Sequence, residues 1–369
     1  MTWSATQNRL RDWLLGQTLP LWARQGLGDH GRFYEKLDLA GQPVTGLARR
    51  TRVQARQAYV FAEAAALGWA PGEAIARQGL DCLIRDHARP DGLWVRTVDD
   101  TGAVIDDVPD LYDLAFVLLA LSSAHRVLED PRARPLALAT LDAIQARMAE
   151  PTGGWSESLP PVLPRRQNPH MHMLEALLAW QEAAPDPAFE QPARAILDLL
   201  NRHFLDREHL VLGEFFERDW TPRPGSEGQC IEPGHHLEWV WLLGEAQRLG
   251  LGDHSSAARA LYTTALTCGL NAQGLAVREI SRIGQVRDGG TRLWGQTELL
   301  RTLTVRGELH KASALTERLF QTHLATDVPG LWLDTFDARG ECHETTVPAS
   351  SLYHLMTAIS AVLSQPDHD

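Results

Sequence analysis

The sequence predicts an all-α fold: an (α/α)6 barrel of about twelve helices with short β-hairpin-like loops, one domain over residues 1–369. Three observations lead there. A short glycine-plus-apolar segment recurs six times at intervals of about sixty residues, the mark of a repeat architecture. The segments alternate apolar and polar residues as extended chain does, whereas the stretches between them place apolar residues three and four apart, as helices do. Both terminal helices carry apolar faces, where an open superhelix would need polar caps. Pairing the first helix with the last therefore gives six hairpins in a closed ring that buries a stripe from every helix.

The segments read GRFYEKLD from Gly31, GLWVRTVD from Gly92, GGWSESLP from Gly153, LGEFFERD from Leu212, GLAVREIS from Gly274 and GLWLDTFD from Gly330. Between them the periodicity predicts helices over 4–24, 51–67, 71–87, 111–128, 131–148 and 169–184. It predicts six more over 190–204, 235–249, 255–269, 292–305, 309–324 and 348–363. Pro71, Pro131, Pro169 and Pro348 suit first turns, where an N–H has no intrahelical partner to lose.

A formal net charge of −12 without any Lys/Arg cluster argues against nucleic acid and anionic membranes as partners and favours a neutral small ligand. Cys82, Cys230, Cys268 and Cys342 form no CxxC pair and read as buried free thiols. The start MTWSATQNRLRDWLLGQ has neither the basic opening nor the apolar core of a secretion signal, so a cytoplasmic location is expected. HMH and HH are not the HExxH spacing, and GxSxG, GxxxxGK and GxGxxG are missing, so neither a metal nor a nucleotide cofactor is expected.

Residues with useful chemistry recur near the start of each repeat's first helix. They are Arg56, Tyr112 and Asp113, His172, His235 and Glu238, Trp294 with Gln296 and Glu298, and His354. If these helices form the inner ring, the side chains converge on one polar pocket at one mouth, with Trp94, Trp155 and Trp332 as candidate walls. Donors beside aromatic faces suit a sugar, although any single Trp here equally suits core packing. His235 and Glu238 are three apart on one face, so the carboxylate is placed to orient the imidazole and favour its protonated form. His236 points about a hundred degrees away and reads as structural. His170 and His172 share a first turn, and spacing alone does not separate them. His354 is a candidate base if it faces His235 across a barrel. Arg56, among Val53, Ala58, Tyr59, Val60 and Phe61, needs a partner or a ligand oxygen, and Arg52 is its alternative.

Five motifs, QAR at Gln54 to Arg56, LYDLAF at Leu111, HMHMLEA at His170, GHHLEWVWLL at Gly234 and YH at Tyr353, stand in an order and spacing that resembles the N-acylglucosamine 2-epimerase superfamily. The compact length and the VPASSLYHL ending are most similar to its mannose isomerase branch. The resemblance implies an (α/α)6 barrel and a monosaccharide substrate, with the protein a monomer or homodimer. It makes His235 and His354 the acid/base pair with Glu238, and singles out His172 over His170. GHHLE departs from relatives that often carry an acidic residue after the first histidine, which keeps His236 as the alternative to His235. The implied chemistry has His354 remove the C2 proton of a ring-opened aldose. Arg56 and His172 would stabilise the cis-enediol(ate), and reprotonation at C1 would give the ketose. D-Mannose and D-fructose are the expected pair, with related aldoses such as D-lyxose. A sugar 2-epimerase is the alternative, and an (α/α)6 glycoside hydrolase drafting Asp113, Glu238 and Glu298 is a further one.

Overall fold

The computed structural model describes residues 2–366. Helix α1 starts at Trp3–Trp13 and continues through π turns at Leu14–Thr18 and Trp22–Gly26 that flank Leu19–Leu21. The next five long helices are α2 (Thr51–Ala66), α3 (Pro71–His87), α4 (Leu111–Arg126), α5 (Ala133–Met148) and α6 (Gln167–Ala183). They are followed by α7 (Pro187–Leu199), α8 (Pro233–Arg248), α9 (Ser255–Cys268), α10 (Leu293–Val305), α11 (Leu309–Gln321) and α12 (Leu352–Leu363).

The even-numbered helices form the inner ring: α2 packs on α4, α4 on α6, α6 on α8, α8 on α10, α10 on α12, and α12 back on α2. Each odd-numbered helix backs its inner partner, α1 covering α12 as the pairing of first and last helix requires. Composition explains the sorting. In α4, LAFVLLALSSA has no charged residue, and every position from Asp113 to Ala124 is buried, whereas α5 keeps one face toward solvent.

The recurrent segments fold back onto the ends of the outer helices, through the pairings Leu27 with Phe33, Ala88 with Trp94, Ala149 with Trp155 and Leu270 with Ala276. Each turn needs a left-handed residue, and Gly31, Gly92, Gly153, Gly274 and Gly330 supply φ between 76° and 92°. In the fourth segment that place belongs to Leu210 at φ 58°, so the repeat frame there begins two residues earlier than the expected Leu212.

The residue four places after that turn then stitches the ring. Its carbonyl accepts the N–H at the start of the neighbouring inner helix. The bonds are Thr51 N–H to Arg96 (3.0 Å), Leu111 to Glu157 (2.9 Å), Gln167 to Glu214 (3.3 Å), Leu293 to Asp334 (2.8 Å) and, closing the circle, Ala349 to Glu35 (2.9 Å). The sixth place, opposite Arg278, is taken by Pro233, which has no N–H to give.

Some expectations need correction. Pro131 precedes its helix by two residues and Pro348 ends a strand (Thr346–Pro348) before a short 3-10 turn, whereas Pro71 opens α3 and Pro169 stands in the first turn of α6. A short helix, Gly225–Gln229, was not foreseen. Of the four free cysteines only Cys82 is buried. Among the described residues no helix is long and apolar enough to cross a membrane.

Candidate active site

Counting from the residue that precedes each inner helix puts the chemistry in register. Six residues after Arg50, Asp110, Arg166, Glu232 and Arg292 come Arg56, Phe116, His172, Glu238 and Glu298. His354 stands six residues after Pro348, where the final helical stretch starts. Four of this layer, Arg56, His172, Glu238 and His354, line a cavity of about 190 Å³ at the N-terminal mouth of the ring, together with Tyr112, Asn168, Glu232, His235, Arg292, Trp294, Ser350 and Ser351. His235 and His354 both flank one indole, Trp294, at ring-centre distances of 4.9 and 5.9 Å, so a single hexose can touch both.

Each of the three histidines is held at Nδ1 by its own carboxylate. His172 faces Glu175 at 3.1 Å, His235 faces both oxygens of Glu214 at 3.0 Å, and His354 faces Glu298 at 2.9 Å. A carboxylate only accepts, so Nδ1 carries hydrogen in all three, and the Nε2 edge of each ring is directed by the pairing. Their charge states nevertheless differ. Burial opposes charging of His235, but Glu214 and Glu232 outweigh it and lift the ring to about 10, so it is an imidazolium. Burial, then the nearby Arg56 and His172, hold His354 well below the usual imidazole range, so it is neutral. Burial also keeps His172 low against the pull of Glu175. One acid and one base thus share a cavity.

Arg56 meets only neutral groups: it donates to Tyr112 Oη (2.7 Å) and the Ser350 carbonyl (3.3 Å) and lies 3.9 Å over the Phe116 ring. Its charge is uncompensated by a direct carboxylate partner and faces the cavity. Glu238 is buried with neither oxygen hydrogen-bonded among the described residues. Burial, then the neighbouring Glu298 and Glu175, raises it well above the carboxylate range, so it is a neutral acid able to donate to a sugar oxygen. The Asn168 amide stands 3.0 Å from His235 Nε2, and because a cationic ring donates from that nitrogen the amide presents its oxygen there, fixing the ring at its second nitrogen.

Several expected roles change. Glu238 does not orient His235; it lies 3.7 Å from His172 Nδ1, and Glu214 does the orienting. On α8, Glu238 stands among His172, Glu298 and Glu175, while His235 pairs with Glu214 of the preceding segment. Gln296 is no ligand: fully buried, it accepts the Ala276 N–H (2.7 Å) and donates to the Ala276 carbonyl (2.8 Å). It belongs to a pinning position four residues after the cap, also filled by Gln54 on Phe33, His170 on Trp155 and His236 on Leu212. That use of both histidines matches their structural reading. Asp113 is clamped by Arg52 at 2.8 Å and does not line the cavity, which also uses up Arg52. Glu298 serves His354 from behind rather than the ligand. With Nδ1–H given to Glu175, neutral His172 offers a lone pair, suited to a sugar hydroxyl and not to an oxyanion. Trp94, Trp155 and Trp332 are core: the first two donate to Thr140 and Gln145 of α5, and the third stacks on Trp22 at 5.0 Å. Tyr112 and Trp294 do line the cavity.

Sequence reasoning missed Glu214, Asn168, Glu175 and Glu232. Glu214 had a usable signal, since an acidic residue stands four places after the left-handed turn in Glu35, Glu157 and Asp334 as well. Three buried groups, His172/Glu175/Glu238, Glu214/Glu232/His235 and Glu238/Glu298/His354, bring ligand-type atoms within 4.8 Å of one another. In each, the histidine Nδ1 is committed to a carboxylate of the same group.

Against known proteins, residues 31–358 match the family described as N-acylglucosamine 2-epimerase. A relative from Rhizobium meliloti (strain 1021), named mannose-6-phosphate isomerase, is 36% identical over 367 residues, covering 95% of each chain. The structure resembles a cellobiose 2-epimerase from Bacillus thermoamylovorans B4167 (TM-score 0.88, 19% identity, 97% of this chain and 99% of that one). It also resembles a D-mannose isomerase (TM-score 0.84, 21% identity, 96% and 97%). With the inner ring, the shared cavity and one cationic and one neutral imidazole in place, the chain is a member of the N-acylglucosamine 2-epimerase family and an isomerase.

Proposed function

We propose that the protein interconverts D-mannose and D-fructose by proton transfer through a cis-enediol(ate). The observation that carries this is the pair of imidazoles around Trp294, one neutral and one cationic, within reach of one small sugar. Neutral His354 takes the C2 proton of the open-chain aldose on Nε2, its Nδ1–H held by Glu298. Negative charge then develops on the former carbonyl oxygen and is met by the uncompensated guanidinium of Arg56, with His235 as proton donor. Glu238 donates to a sugar oxygen and His172 accepts from a hydroxyl, which favours one orientation of the chain of carbons. His235, having protonated that oxygen, takes the proton of O2 as His354 returns its proton to C1, which completes the ketose and restores both rings; delivery of a proton to the opposite face of C2, with O1 losing its proton, would give the epimer.

The names of the relatives support mannose as the sugar. An unphosphorylated one is favoured because arginines around the mouth are already engaged: Arg50 with Glu35, Arg52 with Asp113, Arg166 with Glu157 and Arg292 with Asp334. The hydrolase alternative loses support because Asp113 and Glu298 are occupied elsewhere. The reading also takes the chain as one catalytic unit working without a metal or other cofactor. Proton NMR of the protein with mannose in deuterium oxide tests it: fructose should accumulate, whereas glucose or C2 exchange without fructose would refute isomerisation in favour of epimerisation.

A further inference from the structure

We propose that Glu232, at the cap of α8, is a positioning residue that reserves Glu214 for His235, because it stands where two sister repeats carry an arginine that consumes the equivalent carboxylate. The inference rests on the reading of His235 as the acid.

The three repeats can be laid over one another residue by residue. In the first, Glu35 lies four places after the turn at Gly31 and accepts both the backbone N–H (2.7 Å) and the Nε–H (2.6 Å) of Arg50, the cap of α2. In the third, Glu157 lies four places after Gly153 and accepts the N–H (2.8 Å) and Nε–H (2.7 Å) of Arg166, the cap of α6. In the fourth, Glu214 lies four places after Leu210, and the backbone N–H of the cap residue Glu232 still points at it, at 3.4 Å. The guanidinium is missing, and an acid has replaced it. Glu214 therefore turns to His235 Nδ1–H and to Gln167 Nε2–H (2.9 Å). The third residue after the cap, which receives the freed carboxylate, is Val53 in the first repeat, Pro169 in the third and His235 in the fourth. A structural clamp used twice has become an acid's counter-ion by two changes, arginine to glutamate at the cap and a non-ionisable residue to histidine on the helix.

The charged surroundings of His235 are Glu214 from the segment before α8, Glu232 and Glu238 from α8 itself, His172 from α6, and Arg292 and Glu298 from α10. Glu232 shares the cavity wall with Arg292, and its side chain makes no hydrogen bond with the described residues that would fix it elsewhere. It contributes negative charge beside the ring and leaves Glu214 uncontested.

Glu232→Arg rebuilds the sister clamp and Glu232→Gln removes only the charge. The first variant should fold, since the same Arg–Glu geometry is already present twice in this chain. The protonation of His235 is followed by NMR of the 15N-labelled histidine rings against pH, with His235→Gln as the assignment control, and kcat and KM for mannose are measured alongside. In Glu232→Arg the His235 ring should titrate several pH units below the wild type, kcat at pH 8 should fall by ~10²–10⁴ with little change in KM, and lowering the pH should restore part of kcat. Glu232→Gln should move the titration in the same direction by less and keep most of kcat. A His235 titration that stays at the wild-type position in Glu232→Arg overturns the proposal. If Glu232→Arg does not fold, an unshifted titration in Glu232→Gln overturns it. Because the ring titration needs no substrate, a wild-type protein inactive on mannose would refute the proposed function without touching this test.

Discussion

The charge on His235 should make the protein's stability depend on pH in a way that one substitution isolates. The ring is lifted from an ordinary 6.5 to about 10 in the folded chain, burial opposing and Glu214 with Glu232 prevailing. The folded state thus holds this proton more tightly than the unfolded one. Its contribution is whole below pH 6.5, shrinks as the pH rises, and is gone above about 10. At about 1.4 kcal/mol per pH unit, the difference corresponds to roughly 5 kcal/mol at most. Titrating groups away from the ring act alike in wild type and His235→Gln, and those beside it, Glu232, Glu238 and Glu298, respond to the same charge, so the quantity to follow is the difference in unfolding free energy between the two, by denaturant titration at intervals from pH 6 to 10. The two stabilities should converge by several kcal/mol over that range. Parallel curves would mean that His235 is not an imidazolium in the folded protein, and the assignment of acid and base would fall with it.

Arg56→Ala should lower kcat/KM for mannose by ~10²–10³, as loss of a preorganised charge at a developing oxyanion does, while circular dichroism stays unchanged because its partners are neutral. Gln296→Ala should leave KM and kcat within about twofold and instead cost roughly 1–3 kcal/mol of stability by orphaning the Ala276 backbone, which separates pinning from binding. Leu210→Gly should raise the unfolding free energy by up to ~1 kcal/mol, since a left-handed conformation burdens any residue with a Cβ and Leu210, 46% exposed, has little packing to lose; a fall in stability would show that its side chain matters more than its backbone.

The ring was legible in the sequence because its cause is local and repeated: an apolar period within each helix and a turn at a fixed interval. The site was legible in part, for the same reason. Arg56, His172, Glu238 and His354 occupy one register of the repeat, and all four reach the cavity. What escaped were partners brought in from other segments. Glu214 meets His235 across twenty-one residues, and Glu298 meets His354 across fifty-six. The helical spacing of His235 and Glu238 gave a nearby carboxylate but no knowledge that the ring pairs instead with Glu214 of the preceding segment. Gln296 was drafted by position alone, although the fate of Gln54 in the first repeat is the same and involves no ligand.

The missing donor at Pro233 gives the barrel one joint unlike its fellows. Five seams are latched by a backbone hydrogen bond at the inner helix's start; between α8 and α10 the backbone pairing sits two residues farther out, at Ile231 and Ile280 (3.1 and 2.9 Å), with Thr302 donating to the Leu237 carbonyl (2.9 Å) lower down. Gly234 lies so near the Trp294 indole that an added Cβ would come within 2.5 Å of it. Such a seam leaves no room for a side chain at position 234. The indole that His235 and His354 both flank is thus seated directly on bare backbone, and the width of this one joint sets how far apart the two imidazoles stand.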